Sequence, residues 1–135
     1  MPNKGIICLF LLVKLVFFTG CDPFGNAETL FPLPDSVWDR AVAIKKYRVF
    51  EIKGVSAQEF LTIKNLLLSN GYIEQKRDFN FSASSKNHLP MTIKSSEGIL
   101  LLDALHSESQ DKLCKAAFYI EKEQKLLLGL GVQEQ

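Results

Sequence analysis

The sequence has few of the residues that usually carry catalytic chemistry. Its 135 residues include three cysteines and two histidines. Nucleotide-binding glycine loops, the Gly-x-Ser-x-Gly elbow of serine hydrolases, His-Glu-x-x-His zinc sites and Cys-x-x-Cys pairs are all absent from it. These absences exclude the enzyme classes that such motifs identify. We therefore predict a protein that is not an enzyme, with no catalytic residue, no cofactor and no metal site.

The sequence also lacks a strong excess of charge of either sign. It contains 16 basic and 15 acidic residues, which gives no electrostatic reason to expect nucleic acid as a partner. The charges are nevertheless uneven along the chain. Residues 39–53 hold five basic and two acidic residues, whereas residues 97–135 hold four basic and seven acidic. The basic segment is suited to anionic lipid head groups or, as the simpler alternative, to an ordinary solvated face.

One long apolar run is present, and it lies near the N-terminus. Lys4 precedes it, and the run covers the 14 residues 5–18, with Lys14 inside. A membrane-spanning helix needs about 20 apolar residues, whereas the core of a signal peptide has about 7–15. A lysine near the middle of a bilayer costs roughly 2.5–3.5 kcal/mol. The run is therefore typical of a cleaved secretory signal peptide.

The end of the run gives the leader a more specific character. Phe18, Thr19, Gly20 and Cys21 stand in this order, with two small residues directly before the cysteine. The order resembles the bacterial lipoprotein signal, the lipobox. The resemblance implies that signal peptidase recognises Phe18, Thr19 and Gly20, that residues 1–20 are removed, and that Cys21 carries the lipid. It also implies a lipid-anchored protein on the periplasmic side of a bacterial cell membrane.

Asp22 resembles the residue that retains lipoproteins at the inner membrane of enteric bacteria. Three alternatives to the lipoprotein interpretation remain: an uncleaved signal anchor, an ordinary secretory leader with Cys21 as a free thiol, and a buried core segment. Removal of residues 1–20 also removes Lys4 and Lys14, leaving 14 basic and 15 acidic residues and a net charge of −1.

The remaining 115 residues are enough for one small domain. We predict a lipidated cysteine and linker over residues 21–36 and a single domain over residues 37–135. If Cys21 is lipidated and the leader is removed, Cys114 is the only cysteine left with a free thiol, and no intrachain disulfide is possible. A lone thiol of this kind is most simply a small buried apolar residue, and the alternatives are a catalytic or an intermolecular role.

Two segments are predicted to be helical. Residues 37–46 have apolar side chains at helical spacing, although their valine and isoleucine content suits a strand equally. Residues 57–69 give the clearest pattern, because Ser56 and Glu59 have the spacing of a capping box and apolar residues recur every three or four positions. Asn70-Gly71 supplies a left-handed end to this helix.

The rest of the chain has the two-residue period of β-strands. The predicted strands cover residues 47–53, 72–83, 91–95, 99–105, 115–121 and 125–132. Hairpins are predicted between 91–95 and 99–105 and between 115–121 and 125–132, and residues 99–102 suit a central strand that is covered on both faces. We therefore predict an α+β fold: an antiparallel β-meander of about five or six strands, with one or two helices on one face.

The histidines are the only candidates for proton transfer near neutral pH. His88 stands in a polar loop, and His106 has Asp103, Glu108 and Asp111 within five residues. The second group could belong to an envelope hydrolase or hold a cation, but its spacing matches no EF-hand. An exposed polar connection is the simpler interpretation.

Four aromatic side chains suit either a binding surface or the edges of the core: Trp38, Tyr47, Tyr72 and Tyr119. With no predicted catalytic group, the sequence favours a non-catalytic binding or accessory module, tethered to the membrane by its lipid and bound to an envelope protein. The alternative within binding is an immunity or inhibitor lipoprotein that neutralises a toxin or an envelope enzyme.

Overall fold

The computed structural model describes residues 31–103 and 113–133. None of the helices within these residues has the length and apolar composition needed to cross a membrane. In chain order the elements are α1 (Asp35–Trp38), β1 (Ala41–Ile44), β2 (Val49–Lys53), α2 (Ala57–Ser69), β3 (Tyr72–Gln75), β4 (Phe79–Phe81), β5 (Met91–Ile93), β6 (Ile99–Asp103), β7 (Cys114–Ile120) and β8 (Lys125–Gln133). Two 3₁₀ turns, Ser95–Glu97 and Glu121–Glu123, precede β6 and β8.

All neighbouring strands in the sheet are antiparallel, and their order is β1-β2-β8-β7-β6-β3. β8 is long enough to hold two strands, one after the other, along the same edge. Its first part pairs with β2 as far as Val49 and Gly129, and its last part pairs with β4 from Phe81 and Gly131 onward. β5 then pairs with β4. The prediction of an α+β fold with an antiparallel meander is confirmed, with eight strands in the sheet.

The helix predicted over residues 57–69 is confirmed as α2. Ser56 lies at its N-terminus, and the Ser56 hydroxyl accepts a hydrogen bond from the Glu59 amide at 3.1 Å. Gly71, with a φ of +91°, follows the helix in the left-handed conformation that glycine adopts readily. Phe60, Ile63 and Leu67 are buried on one face of α2. Full burial of such side chains contributes about 1.5–3 kcal/mol each, so the face packed on the sheet stabilises the helix.

The sheet separates two apolar clusters. The helix-side cluster joins α2 to residues of the sheet that include Leu101, Tyr119 and Leu126. The opposite cluster contains Leu100, Leu102, Phe118 and Leu127 and is completed by Phe79, Phe81 and Ile93 from β4 and β5. Side chains of β6 enter both clusters in alternation. The prediction that this strand is central and covered on both faces is therefore confirmed.

The hairpin predicted between residues 115–121 and 125–132 is confirmed. β7 and β8 pair along seven residue positions, from Cys114 with Gly131 to Ile120 with Lys125. Gln124, which ends the connecting 3₁₀ turn, has a φ of +51°. The two glycines of β8 are required by close packing. A Cβ at Gly129 would collide with the backbone of a neighbouring segment and with the Phe81 ring, and a Cβ at Gly131 would collide with a neighbouring backbone and with the Phe79 ring. Glycine thus allows β4 to lie close to β8.

The predicted helix over residues 37–46 is wrong for most of its length. Helical structure is limited to α1, and residues 41–44 form β1, which pairs with β2. The valine and isoleucine side chains of this segment are compatible with either structure, and pairing with the adjacent β2 selects the strand. Val37 of α1 enters the helix-side cluster, as predicted for helices on one face.

Two further strand predictions are corrected. Residues 72–83 form two strands, because the chain leaves the sheet at 76–78 and β3 and β4 pair with different partners. The predicted hairpin between 91–95 and 99–105 does not form. β5 pairs with β4 instead, and β6 lies between β3 and β7. The 3₁₀ turn Ser95–Glu97 connects the two strands, and the Asp78 carboxylate accepts a hydrogen bond from the Ser95 amide at 3.0 Å.

The end of the predicted linker packs on the domain. The Phe31 side chain is completely buried in the helix-side cluster, where its ring lies 6.3 Å from that of Trp38 and 6.2 Å from that of Tyr72. Leu33 packs against the same cluster. The remaining linker residues, 21–30, and the leader before them lie outside the described part of the chain.

Candidate functional site

A cleft of about 220 Å³ opens on the face of the sheet opposite α2. Its apolar lining consists of Ile44, Met91, Ile93, Phe118, Ile120 and Leu127. Its polar lining consists of Glu51, Thr92, Lys94, Glu97 and Lys125. β5 supplies three of these residues, and β1, β2, β7 and β8 supply most of the others. The cleft thus lies between β5 and residues of β1, β2, β7 and β8.

An ion-pair network forms the polar side of the cleft. The Lys125 ammonium lies 3.6 Å from the Glu51 carboxylate and 3.4 Å from that of Glu123. Lys53 lies 3.7 Å from the second oxygen of Glu51. The side chains of Glu51 and Lys125 are only 22% and 25% exposed, so they are better shielded from water than a typical surface pair. Each of the two charges is already compensated by the other.

The dimensions and chemistry of the cleft suit binding of a small apolar group. Sites for drug-sized ligands have volumes of roughly 300–1,000 Å³, so this cleft is smaller than such sites. It has room for one or two side chains of a protein partner. The apolar lining would accept an aliphatic or aromatic group, and the neighbouring ion pair would favour a polar or charged residue next to it.

A second polar group is located at the other end of β7, near its first residues. The Asp103 carboxylate lies 3.0 Å from the Lys115 ammonium, and the Asp103 side chain is only 5% exposed. Tyr72 is the partner of Asp103 across β3 and β6. Burial raises the pKa of Tyr72, and the Asp103 carboxylate raises it further. The phenol is therefore held neutral beside the ion pair.

Cys114 is next to this group in sequence but points into the opposite cluster. Its side chain is buried, and Sγ donates to the Gly131 carbonyl oxygen at 3.4 Å. Burial, followed by the Asp103 charge, raises the pKa of the thiol. The prediction of a buried cysteine is confirmed. A neutral thiol is a poor nucleophile, so this environment does not resemble that of an activated cysteine.

Most of the site residues predicted from the sequence lie outside the described part of the chain. Cys21, Phe18, Thr19, Gly20 and Asp22 of the leader, and His106, Glu108 and Asp111 of the predicted polar loop, lie outside the described residues. Asp103 lies within the described residues and forms an ion pair with Lys115. His88 is exposed, and its Nδ1 lies 2.8 Å from the Ser85 hydroxyl.

The four aromatic candidates belong mainly to the core. Tyr72 and Tyr119 are 3% and 1% exposed, and the Tyr119 hydroxyl donates to the Val55 carbonyl oxygen at 2.6 Å. The Tyr119 ring also stacks on that of Phe60, with 4.1 Å between the ring centroids. Trp38 and Tyr47 are partly buried and pack against the two clusters. Their alternative interpretation, burial at the edges of the core, is the one that the structure supports.

Sequence reasoning missed the cleft because its residues come from segments far apart in the chain. One signal was present: Glu51 interrupts an apolar strand, and Lys125 begins another. Their pairing depends on the register of β2 with β8, in which Lys53 lies opposite Lys125. No local pattern gives that register.

Across residues 31–103 and 113–133, no three histidine, cysteine, aspartate or glutamate side chains are grouped closely enough to hold a metal ion. A comparison of the chain with protein-family models, with curated proteins and with solved structures found no match.

Proposed function

We propose that this protein is a non-catalytic binding module, anchored to a bacterial envelope membrane through lipid on Cys21 and bound to an envelope protein. The binding part of the proposal rests mainly on one observation: the cleft combines an apolar lining with charges that already compensate each other. The Glu51–Lys125 pair beside the apolar lining suits recognition of a partner that presents an apolar side chain next to a polar or charged one.

The location part of the proposal rests on the sequence of the leader. Residues 5–18 have the length of a signal-peptide core, and Cys21 follows two small residues. One acyl chain alone gives only marginal membrane binding, and each additional chain adds about 0.8 kcal/mol per buried methylene. A multiply acylated Cys21 would therefore hold the protein firmly, and the domain itself would be free to bind a partner.

Two measurements test the location. The intact mass of the natural product should lack residues 1–20 and include a diacylglyceryl group at Cys21. Cys21→Ser should abolish both the diacylglyceryl group and the removal of residues 1–20 at this site, and its intact mass should show both losses. A Cys114→Ser variant is the matched control and should be cleaved and lipidated like the parent. A parent product without the diacylglyceryl group, or one that retains its leader, would contradict the lipid anchor.

Crosslinking tests the binding function. A photo-reactive residue in place of Met91 places the probe in the cleft, and the same residue in place of the exposed Lys86 is the control. In living cells of the host, the Met91 probe should give one discrete protein adduct that the Lys86 probe does not give. Purified partner should then bind the purified protein. A trapped glycan or peptide product in place of a protein would instead support the hydrolase alternative.

A further inference from the structure

We propose that β1 binds its partner by strand addition, and that the bound segment of the partner is extended, with acidic residues next to a short apolar stretch. This inference rests on the proposed binding function and specifies the partner's chemistry. The structural basis is the position of Ala41–Ile44. In the described part of the chain β1 has one neighbour, β2, so its other edge is open.

The open edge offers backbone hydrogen bonds. In an edge strand every second residue directs its N–H and C=O groups away from the sheet. β1 has four residues, of which two therefore present both groups outward. Natural edge strands are commonly protected by proline, by a bulge, by charges within the strand or by being very short, and β1 has only the last of these protections. The sequence Ala41-Val42-Ala43-Ile44 contains no proline and no charge.

Apolar surface continues from the open edge into the cleft. The Val42 side chain is 64% exposed, and Val42 pairs with Glu51, which lines the cleft. Ile44 shares this face and lines the cleft itself. A strand added beside β1 would therefore place alternate side chains next to Val42 and Ile44. A bulky apolar side chain at one of these positions would reach the small cleft.

Charge determines which kind of segment fits. Lys45 and Lys46 directly follow β1 and are exposed, and neither takes part in an ion pair within the described residues. Arg40, at the other end of the strand, is held by Glu59 at 2.8 Å. The free positive charge is thus concentrated at the C-terminal end of β1. An acidic residue of the partner at this end would be attracted to it.

A second copy of the chain fits this edge less well. Antiparallel pairing of two β1 strands, with Val42 opposite Ala43 of the second copy, would place Arg40 opposite Lys45. Like charges that face each other across two strands are destabilising. An anionic lipid surface would satisfy the lysines but not the backbone groups of the edge. An acidic segment of a protein satisfies both.

The test uses the full lipid-anchored chain in its host, with a photo-reactive residue in place of Val42. We expect one adduct, to a protein other than this chain, at a segment that contains acidic and alternating apolar residues. Lys45→Glu/Lys46→Glu should reduce the adduct yield about tenfold. Lys122→Glu, which reverses an exposed lysine in the β7–β8 turn, is the matched control and should leave the yield unchanged. Circular dichroism of the purified variants checks that both remain folded.

The other outcomes overturn the inference in distinguishable ways. Adducts to phospholipid would show a membrane-facing edge, and an adduct of twice the chain mass would show self-association. A partner captured through Met91 but not through Val42, or a yield insensitive to Lys45→Glu/Lys46→Glu, would overturn strand addition and leave the proposed binding function standing. No protein adduct from either position would contradict both.

Discussion

The Asp103 carboxylate and the Lys115 ammonium, 3.0 Å apart, differ greatly in their access to water. The aspartate side chain is 5% exposed and the lysine side chain is 24% exposed. A buried charge is costly unless a partner compensates it. Loss of the lysine would leave a carboxylate with little access to water, whereas loss of the aspartate charge would leave an ammonium that can turn toward solvent. The two residues should therefore differ in their effect on stability.

Lys115→Met should lower the free energy of unfolding by about 3 kcal/mol, because it removes the ammonium group that is paired with the buried Asp103 carboxylate. Asp103→Asn should cost less than half as much. The double variant Asp103→Leu/Lys115→Met should recover most of the loss, since an apolar pair of similar volume needs no compensation. Urea denaturation at neutral pH measures all three. Equal losses from the two single variants would contradict the asymmetry.

Stability should fall at alkaline pH because of two buried tyrosines. Burial raises the pKa of Tyr72, which Asp103 raises further, and burial is also the main cause of the raised pKa of Tyr119. An unfolded tyrosine titrates near pH 10. Above that pH the unfolded chain loses phenolic protons that the folded chain retains, so the free energy of unfolding declines as pH rises. Below about pH 10 the two tyrosines make their full contribution to the free energy of unfolding.

Tyr72→Phe should make this decline shallower, because phenylalanine has no proton to lose. Urea denaturation of the parent and of the variant at a series of pH values above and below about 10 measures the two slopes. The ratio of the slopes is independent of any constant loss of stability caused by the substitution. Parallel curves would show that Tyr72 does not supply the alkaline dependence.

The close approach of β4 to β8 predicts that Gly131 tolerates no side chain. A Cβ there would collide with the Asn80 carbonyl oxygen and lie 2.7 Å from the Phe79 ring. Gly131→Ala should destabilise the protein by about 1–3 kcal/mol, as overpacking typically does. It should also speed amide hydrogen exchange in β4 more than in α2.

Gly54→Asn is the control for the Gly131 substitution. Gly54 has a φ of +72°, and a Cβ added to it would meet no neighbouring atom within 4 Å. Asparagine accepts the left-handed conformation better than most residues. Thermal unfolding of this variant should show a smaller loss than that of Gly131→Ala. If the two losses were equal, close packing at Gly131 would not be the cause.

Cys114 should resist thiol reagents while the protein is folded. Its side chain is 2% exposed, and burial raises the pKa of the thiol, so both access and thiolate content are low. In the full chain with Cys8→Ser and Cys21→Ser, a maleimide should react at least about a hundredfold more slowly in buffer than in urea. Rapid complete labelling of the folded protein would indicate an accessible, activated thiol.

The parts of the fold that sequence reasoning predicted correctly have local causes. Ser56, the apolar period of α2 and Gly71 lie within one short stretch, and together they define where the helix begins and ends. The β7–β8 hairpin is similar, because its two strands are separated only by the turn around Gln124. In such elements the sequence neighbours are also the spatial neighbours.

The parts that sequence reasoning missed depend on distant partners. Residues 41–44 became a strand through pairing with β2, and residues 79–81 separated from β3 because β4 pairs with the far end of β8. The cleft needed all of these pairings at once, since Ile44, Met91 and Leu127 line it from three different parts of the chain. Periodicity identifies which side chains are apolar, but it does not identify which strands meet.

The nine residues of β8 pair with β2, β4 and β7. These three strands are synthesised at different times, and each needs β8, the last of the eight strands in sequence, as a pairing partner. During synthesis on the ribosome, α2 can form from its own stretch of nascent chain, but β2 and β4 must wait for β8 to emerge. Sheets with such distant pairings fold slowly. The growing polypeptide therefore keeps sheet edges unpaired for most of its synthesis, and it needs protection from aggregation during that interval.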